Sequence, residues 1–279
     1  FYGPSTLRVG LEKSRNLMTV RIAQNLGVDK LAKFSKELKI YDDPEELLSI
    51  SLGSAETTLL SLTSAYSSFV NGGKLISPII IDRIQDSEGN TIINNENRKC
   101  MNCDKISFTG KEYPQIEDNF DQVMSEQTAY QITTLLEGVI ERGTAKKLRD
   151  LKLNLAGKTG TTNENTDAWF VGFTSNLVIG VYVGMDNPKS LGKFETGSKA
   201  ALPIFREFIE RSVKKSAARP FKVPQNMTLM VVDPLTGEKA KFNSKNTIIE
   251  AYKSKNVLNG KVLYSDNNRL DTNNILKFY

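Results

Sequence analysis

Three short segments in the second half of the chain constrain its fold more than any other part of the sequence. Residues 155–162, 168–173 and 177–184 each have the pattern of a β-strand, and turn-forming residues separate them. Such spacing favours an antiparallel meander, in which each strand pairs with the next one along the chain. The sequence therefore predicts an antiparallel sheet in this region.

Helical patterns precede the sheet, and the first two of them meet at a polar elbow. Residues 6–13 favour a helix, which the tripeptide Ser14-Arg15-Asn16 interrupts. Apolar residues then recur at helical spacing as far as Gly27, a residue type that commonly follows a helix end. We therefore expect two consecutive helices with the tripeptide between them.

Further helices and a hairpin are predicted along the chain. Helical spacing recurs before Gly72, after the candidate N-cap Ser125 and in a closing helix. The apolar face of the closing helix is predicted to consist of Ala201, Ile204, Phe205 and Phe208. A β run over residues 78–84, a turn at 86–90 and the segment 91–93 together predict a β-hairpin.

A basic, proline-containing stretch over residues 211–222 follows the closing helix. We place a domain boundary there. It divides the chain into a larger domain, residues 1–222, and a small C-terminal extension, residues 223–279. Within the extension, residues 231–237 have the pattern of a strand, a turn and a second strand.

The absence of histidine from all 279 residues excludes several kinds of active site. Ser-His-Asp and Cys-His nucleophile systems cannot form, and zinc loses its commonest ligand. Any nucleophilic chemistry needs another base, and lysine is the main candidate because burial readily shifts its pKa. The net charge of +5 is mild, and solubility alone explains it.

The two cysteines of the chain, Cys100 and Cys103, form a single C-x-x-C pattern. A structural zinc site needs four ligands, and neither a histidine nor a third cysteine can complete the set. A thioredoxin-like pair would open a helix, whereas this pair lies in a polar stretch over residues 94–105. We interpret it as a loop pair that can form a small disulfide, and we expect no metal site.

Two short motifs stand out as carriers of chemistry. The first is the S-x-N of the elbow, Ser14-Arg15-Asn16, and the second is a K-T-G in a predicted strand, Lys158-Thr159-Gly160. Each motif alone is weak, because S-x-N is frequent by chance and K-T-G occurs in ordinary strands. Their order along the chain, and their placement on an elbow and on a sheet, strengthen the hypothesis of a shared site.

Longer runs around the two motifs carry a family resemblance. They are Tyr2-Gly3, Thr6-Leu7-Arg8, Ser14-Arg15-Asn16, Leu52-Gly53, Glu56-Thr57, Asn71-Gly72-Gly73, Arg142-Gly143-Thr144-Ala145, Gly157 to Thr162, Asp167-Ala168-Trp169-Phe170 and Glu195-Thr196-Gly197. With these runs, roughly residues 1 to 250 resemble the transpeptidase domain of class A penicillin-binding proteins, the bifunctional peptidoglycan synthases. The resemblance implies an α+β fold of the β-lactamase/transpeptidase type. That fold has a mainly antiparallel sheet flanked by helices, with a helical lobe beside it.

The resemblance also implies a reaction, acyl transfer from D-Ala-D-Ala stem peptides that cross-links peptidoglycan. Such chemistry needs a serine nucleophile, a base, an oxyanion site and a grip on the terminal carboxylate. On this basis Ser14 would shuttle a proton to the leaving or attacking amine. Asn16 would donate or accept a hydrogen bond at the backbone amide of the substrate. No metal and no organic cofactor is implied.

The K-T-G strand would hold the substrate, again by resemblance. Lys158 would supply positive charge that tunes Ser14 and attracts the terminal carboxylate, and Thr159 and Thr161 would offer hydroxyls to it. Gly160 leaves the strand bare, so the substrate could lie against it as an added strand.

One part of the family pattern is missing from its usual place. The family carries an S-x-x-K, with the nucleophilic serine and its lysine, some tens of residues before S-x-N, but here S-x-N starts at residue 14. The matches at 190–193 and 212–215 follow K-T-G and are interpreted as chance. Because the first residue is Phe1, we expect the nucleophile in a missing N-terminal part of the same synthase. We further expect this chain alone to fold poorly and to form no adduct with penicillin.

The resemblance places the parent protein on the periplasmic side of the bacterial inner membrane. The parent would be membrane-anchored and would carry a glycosyltransferase domain nearer its N-terminus. Its expected partners are peptidoglycan stem peptides and β-lactams.

Several alternative functions compete with this interpretation. A P-loop ending at 157–159 is rejected, because position 152 is lysine where the motif needs glycine. The basic stretch over residues 206–222 alternates with Glu207 and Glu210, so we interpret it as a solvated helix face and expect no nucleic-acid partner. A soluble β-lactamase fits the flanking runs less well. A non-catalytic remnant of a split or decaying synthase gene stays open.

Overall fold

The computed structural model describes residues 3–95, 100–101, 103, 115–117, 120–214, 219–244, 246–258 and 261–262. The α-helices of this part of the chain are α1 (Leu7–Glu12), α2 (Asn16–Leu26), α3 (Val28–Glu37), α4 (Leu59–Val70), α5 (Glu126–Glu141) and α6 (Ala201–Ser212). Shorter 3₁₀ turns cover Leu48–Leu52, Lys146–Leu151, Asn163–Asn165 and Ser254–Asn256. The two predicted helices on either side of the elbow are thus confirmed as α1 and α2.

The strands are β1 (Lys74–Leu75), β2 (Arg83–Gln85), β3 (Thr91–Asn94), β4 (Cys100–Met101), β5 (Gln115–Ile116), β6 (Asp121–Gln122), β7 (Ala156–Thr161), β8 (Ala168–Phe173), β9 (Val178–Val183), β10 (Met227–Val232), β11 (Ile248–Lys253), β12 (Val257–Leu258) and β13 (Lys261–Val262). Strands β7, β8 and β9 form a sheet in that order, and both pairings are antiparallel. The predicted meander is confirmed, and with the helices it makes the chain α+β. The remaining strands pair two by two, as β1–β6, β2–β3, β4–β5, β10–β11 and β12–β13.

Helices cover both faces of the three-stranded sheet. The ring of Phe170 on β8 packs edge-on against Phe205 of α6, with centroids 4.8 Å apart. The ring of Phe173 on the same strand packs edge-on against Tyr66 of α4, with ring centroids 6.4 Å apart. Strand residues separated by an odd number point to opposite faces, so α6 and α4 lie on opposite sides. Phe170, Phe173 and Phe205 are fully buried and form the centre of the core.

Helix α5 joins the sheet to the N-terminal helices. Its N-cap is Ser125, as predicted, whose hydroxyl accepts the N–H of Thr128 at 3.2 Å. The helix contacts α1, α4 and β7, and Val139 and Ile140 on its inner side are almost completely buried. Helix α5 therefore sets the position of α1 relative to strand β7.

The predicted hairpin exists, but its first strand is shorter than expected. Of the β run over 78–84, only residues 83 and 84 belong to a strand, Arg83–Gln85, which pairs with Thr91–Asn94. A strand persists only where a partner supplies hydrogen bonds, and the short β3 pairs with three residues of β2. Ile79, Ile80 and Ile81 remain exposed outside the strand.

The predicted apolar face of the closing helix is wrong in two of its four positions. Ala201 and Phe205 are buried, but Ile204 and Phe208 are 51% and 47% exposed. The buried stripe of α6 consists of Ala201, Leu202, Phe205 and Ile209. The helix has two adjacent apolar stripes, and periodicity alone does not tell which of them meets the sheet.

The C-terminal extension contains a hairpin with a different return strand from the predicted one. Asp233 accepts the N–H groups of Leu235 and Thr236 through its side chain, so the predicted turn is present. After it, only an isolated bridge joins Val232 to Lys239. The true partner of β10 is β11, residues 248–253. The domain boundary at residue 222 stays a prediction.

The disulfide that the sequence allows is present. Cys100 and Cys103 are joined in a disulfide, with Cα atoms 5.7 Å apart. Most of the polar stretch around them lies outside the described residues. Among the described helices, none combines the length and apolar character needed to cross a bilayer.

The buried stripe of α6 can be tested with two phenylalanines of the same helix. Phe205→Ala should lower the free energy of unfolding by about 3–5 kcal/mol, because a fully buried ring is lost from the core. Phe208→Ala removes a half-exposed ring and should cost less than about 1 kcal/mol. Urea unfolding followed by circular dichroism measures both values, and a sharp cooperative transition of the unsubstituted chain would also contradict the expectation that this chain alone folds poorly. Equal losses in the two variants would contradict this packing of α6.

Candidate active site

The elbow between α1 and α2 holds Ser14 in an uncommon backbone conformation. Helix α1 is capped by Thr6, whose hydroxyl accepts the N–H of Val9. The N–H of Arg15 returns to the carbonyl of Gly10 at 2.9 Å and closes the turn. Ser14 has a φ of 52°, in the left-handed region that few non-glycine residues adopt. Strain of this kind persists where the surrounding structure fixes it, and it is frequent at functional sites.

Strand β7 carries the K-T-G at the edge of the sheet. In register, Lys158 faces Val171 and Gly160 faces Trp169 on β8, and among the described strands β7 pairs with no other. The outer edge of β7 therefore lacks a partner strand within the described residues. Apart from the Thr159 carbonyl, which Lys158 holds, its backbone offers the kind of N–H and C=O groups that an extended peptide needs in order to add as a further strand.

The structure brings the two motifs into direct contact. The Nζ of Lys158 donates a hydrogen bond to the Oγ of Ser14 at 2.8 Å, across 144 positions of sequence. A second bond from the same ammonium reaches the carbonyl of Thr159 at 2.9 Å. These two acceptors fix the end of the lysine side chain against the elbow.

Burial changes the acid–base properties of Lys158. Removal from water disfavours the charged form and lowers the pKa of Lys158 from 10.5 to about 8. No carboxylate among the described residues forms an ion pair with it to offset this effect. Its neighbours are a hydroxyl and a carbonyl, so the lysine can give up a proton far more easily than a solvated one.

The remaining residues of the predicted site lie close to the same strand or elbow. Asn16 is the first residue of α2, and its side chain is exposed. The hydroxyl of Thr159 lies 2.8 Å from that of Thr144, and Thr161 accepts the N–H of Gly197 at 3.0 Å. Because strand residues alternate, Thr159 and Thr161 point to the face of β7 opposite to Lys158.

Gly197 allows the segment before α6 to close on the strand. A Cβ at Gly197 would overlap the carbonyl oxygens of Gly160 and Trp169, so the bare backbone there lets the segment lie against β7, where the N–H of Gly197 reaches the hydroxyl of Thr161. Gly160 serves a different contact, because a Cβ there would lie 3.0 Å from that of Trp169 on β8.

Sequence reasoning missed one residue of this neighbourhood, Thr144. Its run, Arg142-Gly143-Thr144-Ala145, carries part of the family resemblance, but the sequence alone gives the threonine no role. Of the two late S-x-x-K matches, Ser190 uses its hydroxyl to bond the carbonyl of Glu164 at 2.7 Å. Ser212 ends α6, and Lys215 lies outside the described residues. No three His, Cys, Asp or Glu side chains of the described part come together as a metal site.

Comparison with known proteins gives consistent relatives. The penicillin binding protein transpeptidase domain family matches residues 1–210. Penicillin-binding protein 1A of Rickettsia bellii is 41% identical over 276 residues, which cover 98% of this chain and 34% of that protein. The same-named protein of Pseudomonas aeruginosa is 30% identical and is covered to 35%. This chain therefore spans about a third of the length of these curated relatives.

Solved structures agree with the sequence relatives. The crystal structure of penicillin-binding protein 1A from Haemophilus influenzae matches with a TM-score of 0.75 and 30% identity, over 90% of this chain and 40% of that one. The penicillin-binding protein PonA1 of Mycobacterium tuberculosis, at 20% identity and a TM-score of 0.63 over 88% of this chain and 64% of that one, shares the fold. The expected transpeptidase-like fold is thus confirmed, and the chain belongs to the penicillin-binding protein transpeptidase domain family.

Proposed function

We propose that this chain supplies the S-x-N and K-T-G side of a D,D-transpeptidase active site that cross-links peptidoglycan stem peptides and binds β-lactams. The observation that carries the proposal is the 2.8 Å hydrogen bond from Lys158 to Ser14. Because the chain spans about a third of its curated relatives, the complete reaction belongs to a longer synthase.

Ser14 and Lys158 would act together as a proton relay. Lys158 donates to the Ser14 oxygen, which leaves the hydroxyl hydrogen of Ser14 free for another acceptor. When the peptide C–N bond of D-Ala-D-Ala breaks, Ser14 gives this proton to the departing amine and regains one from Lys158. When the second amine attacks, the proton returns by the same route. A lysine pKa of about 8 suits both directions near neutral pH.

The edge of β7 would bind the substrate. An extended stem peptide can pair with the free backbone groups of the strand next to Gly160, while Lys158 attracts the terminal carboxylate. Asn16, exposed at the start of α2, would hydrogen-bond the backbone amide of the peptide. Thr159 and Thr161 point to the opposite face of β7 from Lys158, so their hydroxyls would reach the carboxylate around the open edge of the strand. Thr161 accepts from Gly197 and keeps its own proton for this contact.

The acylating serine would come from an S-x-x-K segment that precedes S-x-N in the same synthase. The parent is proposed to be membrane-anchored, to face the periplasm and to carry a glycosyltransferase domain. The alternative, a non-catalytic remnant of a synthase gene, would retain the same fold and the same contact between Ser14 and Lys158. A labelling experiment separates the two.

Fluorescent penicillin should form no covalent adduct with the 279-residue chain, because acylation needs the serine of S-x-x-K. Fusing the S-x-x-K segment of a class A relative ahead of Phe1 should restore a denaturation-resistant adduct. In that fusion, Ser14→Ala should slow acylation at least about 100-fold, the usual contribution of a positioned proton carrier. Gel fluorescence against time measures the rate.

The matched control is Ser87→Ala, which removes an exposed hydroxyl at the tip of the β2–β3 hairpin and should leave the rate unchanged. An adduct on the unfused chain would defeat the missing-nucleophile proposal. A fusion that folds but never labels would favour the remnant.

The amine of Lys158 should titrate near pH 8, well below the solvated lysines. Carbon-13 dimethylation of the lysines and NMR titration measures this, and Lys158→Met identifies the signal. Because the folded pKa lies below that of the unfolded chain, the unfolded state binds more protons between pH 8 and 10.5. The free energy of unfolding of the unsubstituted chain, measured relative to that of Lys158→Met, should therefore rise with pH across this window. A lysine signal at the ordinary value would overturn the proposed relay.

A further inference from the structure

Four charged side chains meet around helix α1, and three of them are largely withdrawn from water, whereas Arg142 is 37% exposed. Arg8 and Glu12 are only 4% and 2% exposed. The guanidinium of Arg8 binds both carboxylate oxygens of Glu250 at 2.5 Å. Arg142 in turn binds both oxygens of Glu12, at 2.6 and 3.3 Å. The two arginines balance Glu12 and Glu250, as such a buried group requires. A fifth charged group, Glu137 of α5, interacts electrostatically with both arginines, and its burial raises its pKa to about 7.

The chain itself and two hydrogen bonds connect this charge group to the candidate active site. Glu12 lies two residues before Ser14, and its carbonyl accepts the N–H of Thr144 at 3.2 Å. The hydroxyl of Thr144 contacts Thr159 of the K-T-G strand at 2.8 Å. The geometry of the Glu12 backbone is thus tied both to the elbow and to β7.

The fourth member of the group comes from the other end of the chain. Glu250 lies on β11, beyond residues 1–210 that match the transpeptidase family. The hydroxyl of Thr6, the N-cap of α1, donates a hydrogen bond to the carbonyl of Pro234 in the same hairpin region, at 2.8 Å. Gln131 of α5 reaches the carbonyl of Ala251 at 2.9 Å. The C-terminal hairpin therefore holds α1 both at its cap and at its buried arginine.

We propose that Glu250 is a positioning residue, whose carboxylate fixes Arg8 and α1 so that Ser14 stays against Lys158. Its meaning for catalysis rests on the proposed function, although the structural effect does not. The C-terminal hairpin then belongs to the support of the site, and a boundary at residue 222 would cut through that support.

The physical reason is the cost of a buried charge that is only partly compensated. Without the Glu250 carboxylate, Arg8 keeps Glu12 at 3.4 Å and the carbonyl of Thr134 at 2.8 Å. Arg142 already binds Glu12, so one ion-paired carboxylate would serve two guanidinium groups, and Arg8 would be drawn toward water. Helix α1 has six residues, too few to be stable without its packing, so the elbow would loosen with it. Water would then reach Lys158 and raise its pKa toward the ordinary value.

The test uses the full 279-residue chain and the variant Glu250→Gln, which keeps the shape and removes the charge. The matched control is Glu238→Gln, the same change at an exposed position of the same hairpin region. Lysine NMR titration, at a temperature where each variant is folded, should show the pKa of Lys158 raised by about one unit in Glu250→Gln. The control should show no change.

A second measurement does not depend on NMR. Trypsin cuts after Lys13 and Arg15 at the elbow should accelerate about tenfold in Glu250→Gln relative to cuts after Lys33 in α3. A lower melting temperature with an unchanged Lys158 titration, or a uniform acceleration of all cuts, would overturn the proposal and leave Glu250 a structural residue.

Both readouts are independent of substrate. If the penicillin-labelling fusion fails while Lys158 still responds to Glu250→Gln, the proposed function fails and the positioning role stands. If the fusion labels normally but Lys158 does not respond, the positioning role alone is wrong.

Discussion

The close packing of α1 against α5 is the constraint on which the candidate site depends. A Cβ at Gly138 would overlap a carboxylate oxygen of Glu12, and one at Gly143 would overlap its carbonyl oxygen. These two glycines let the helices approach until Arg142 can bind Glu12. Since α5 also packs on β7, this helix contact places Ser14 near Lys158, and the proposed hold of Glu250 on Arg8 acts on the same helix.

The sequence predicted those parts of the fold that local pattern controls. The meander of β7, β8 and β9 needs only pairing between neighbours, so alternation and turn residues were sufficient. The buried stripe of α6 was missed because Ile204 and Phe208 are as apolar as the residues that face the sheet. The return strand at 248–253 was missed because the turn at 233–237 predicts an immediate partner, whereas the chain runs further before pairing.

The candidate site was predicted in part, from family resemblance rather than from local pattern. Ser14 and Lys158 were paired through family resemblance, because no local pattern links positions 144 residues apart. The contact of Arg8 with Glu250 spans 242 residues and left no signal, since charged residues are ordinarily expected at the surface. A single sequence cannot distinguish a buried ion pair from two solvated charges.

The left-handed backbone of Ser14 also restricts how this elbow can change during evolution. Glycine and asparagine tolerate that conformation with little strain, while β-branched residues do not. A lineage that no longer needs the hydroxyl could therefore exchange it for either residue at small cost to folding. The left-handed backbone at this position does not require serine, whereas the proposed proton relay requires its hydroxyl. A serine retained there among close relatives would therefore record selection on the reaction rather than on the fold.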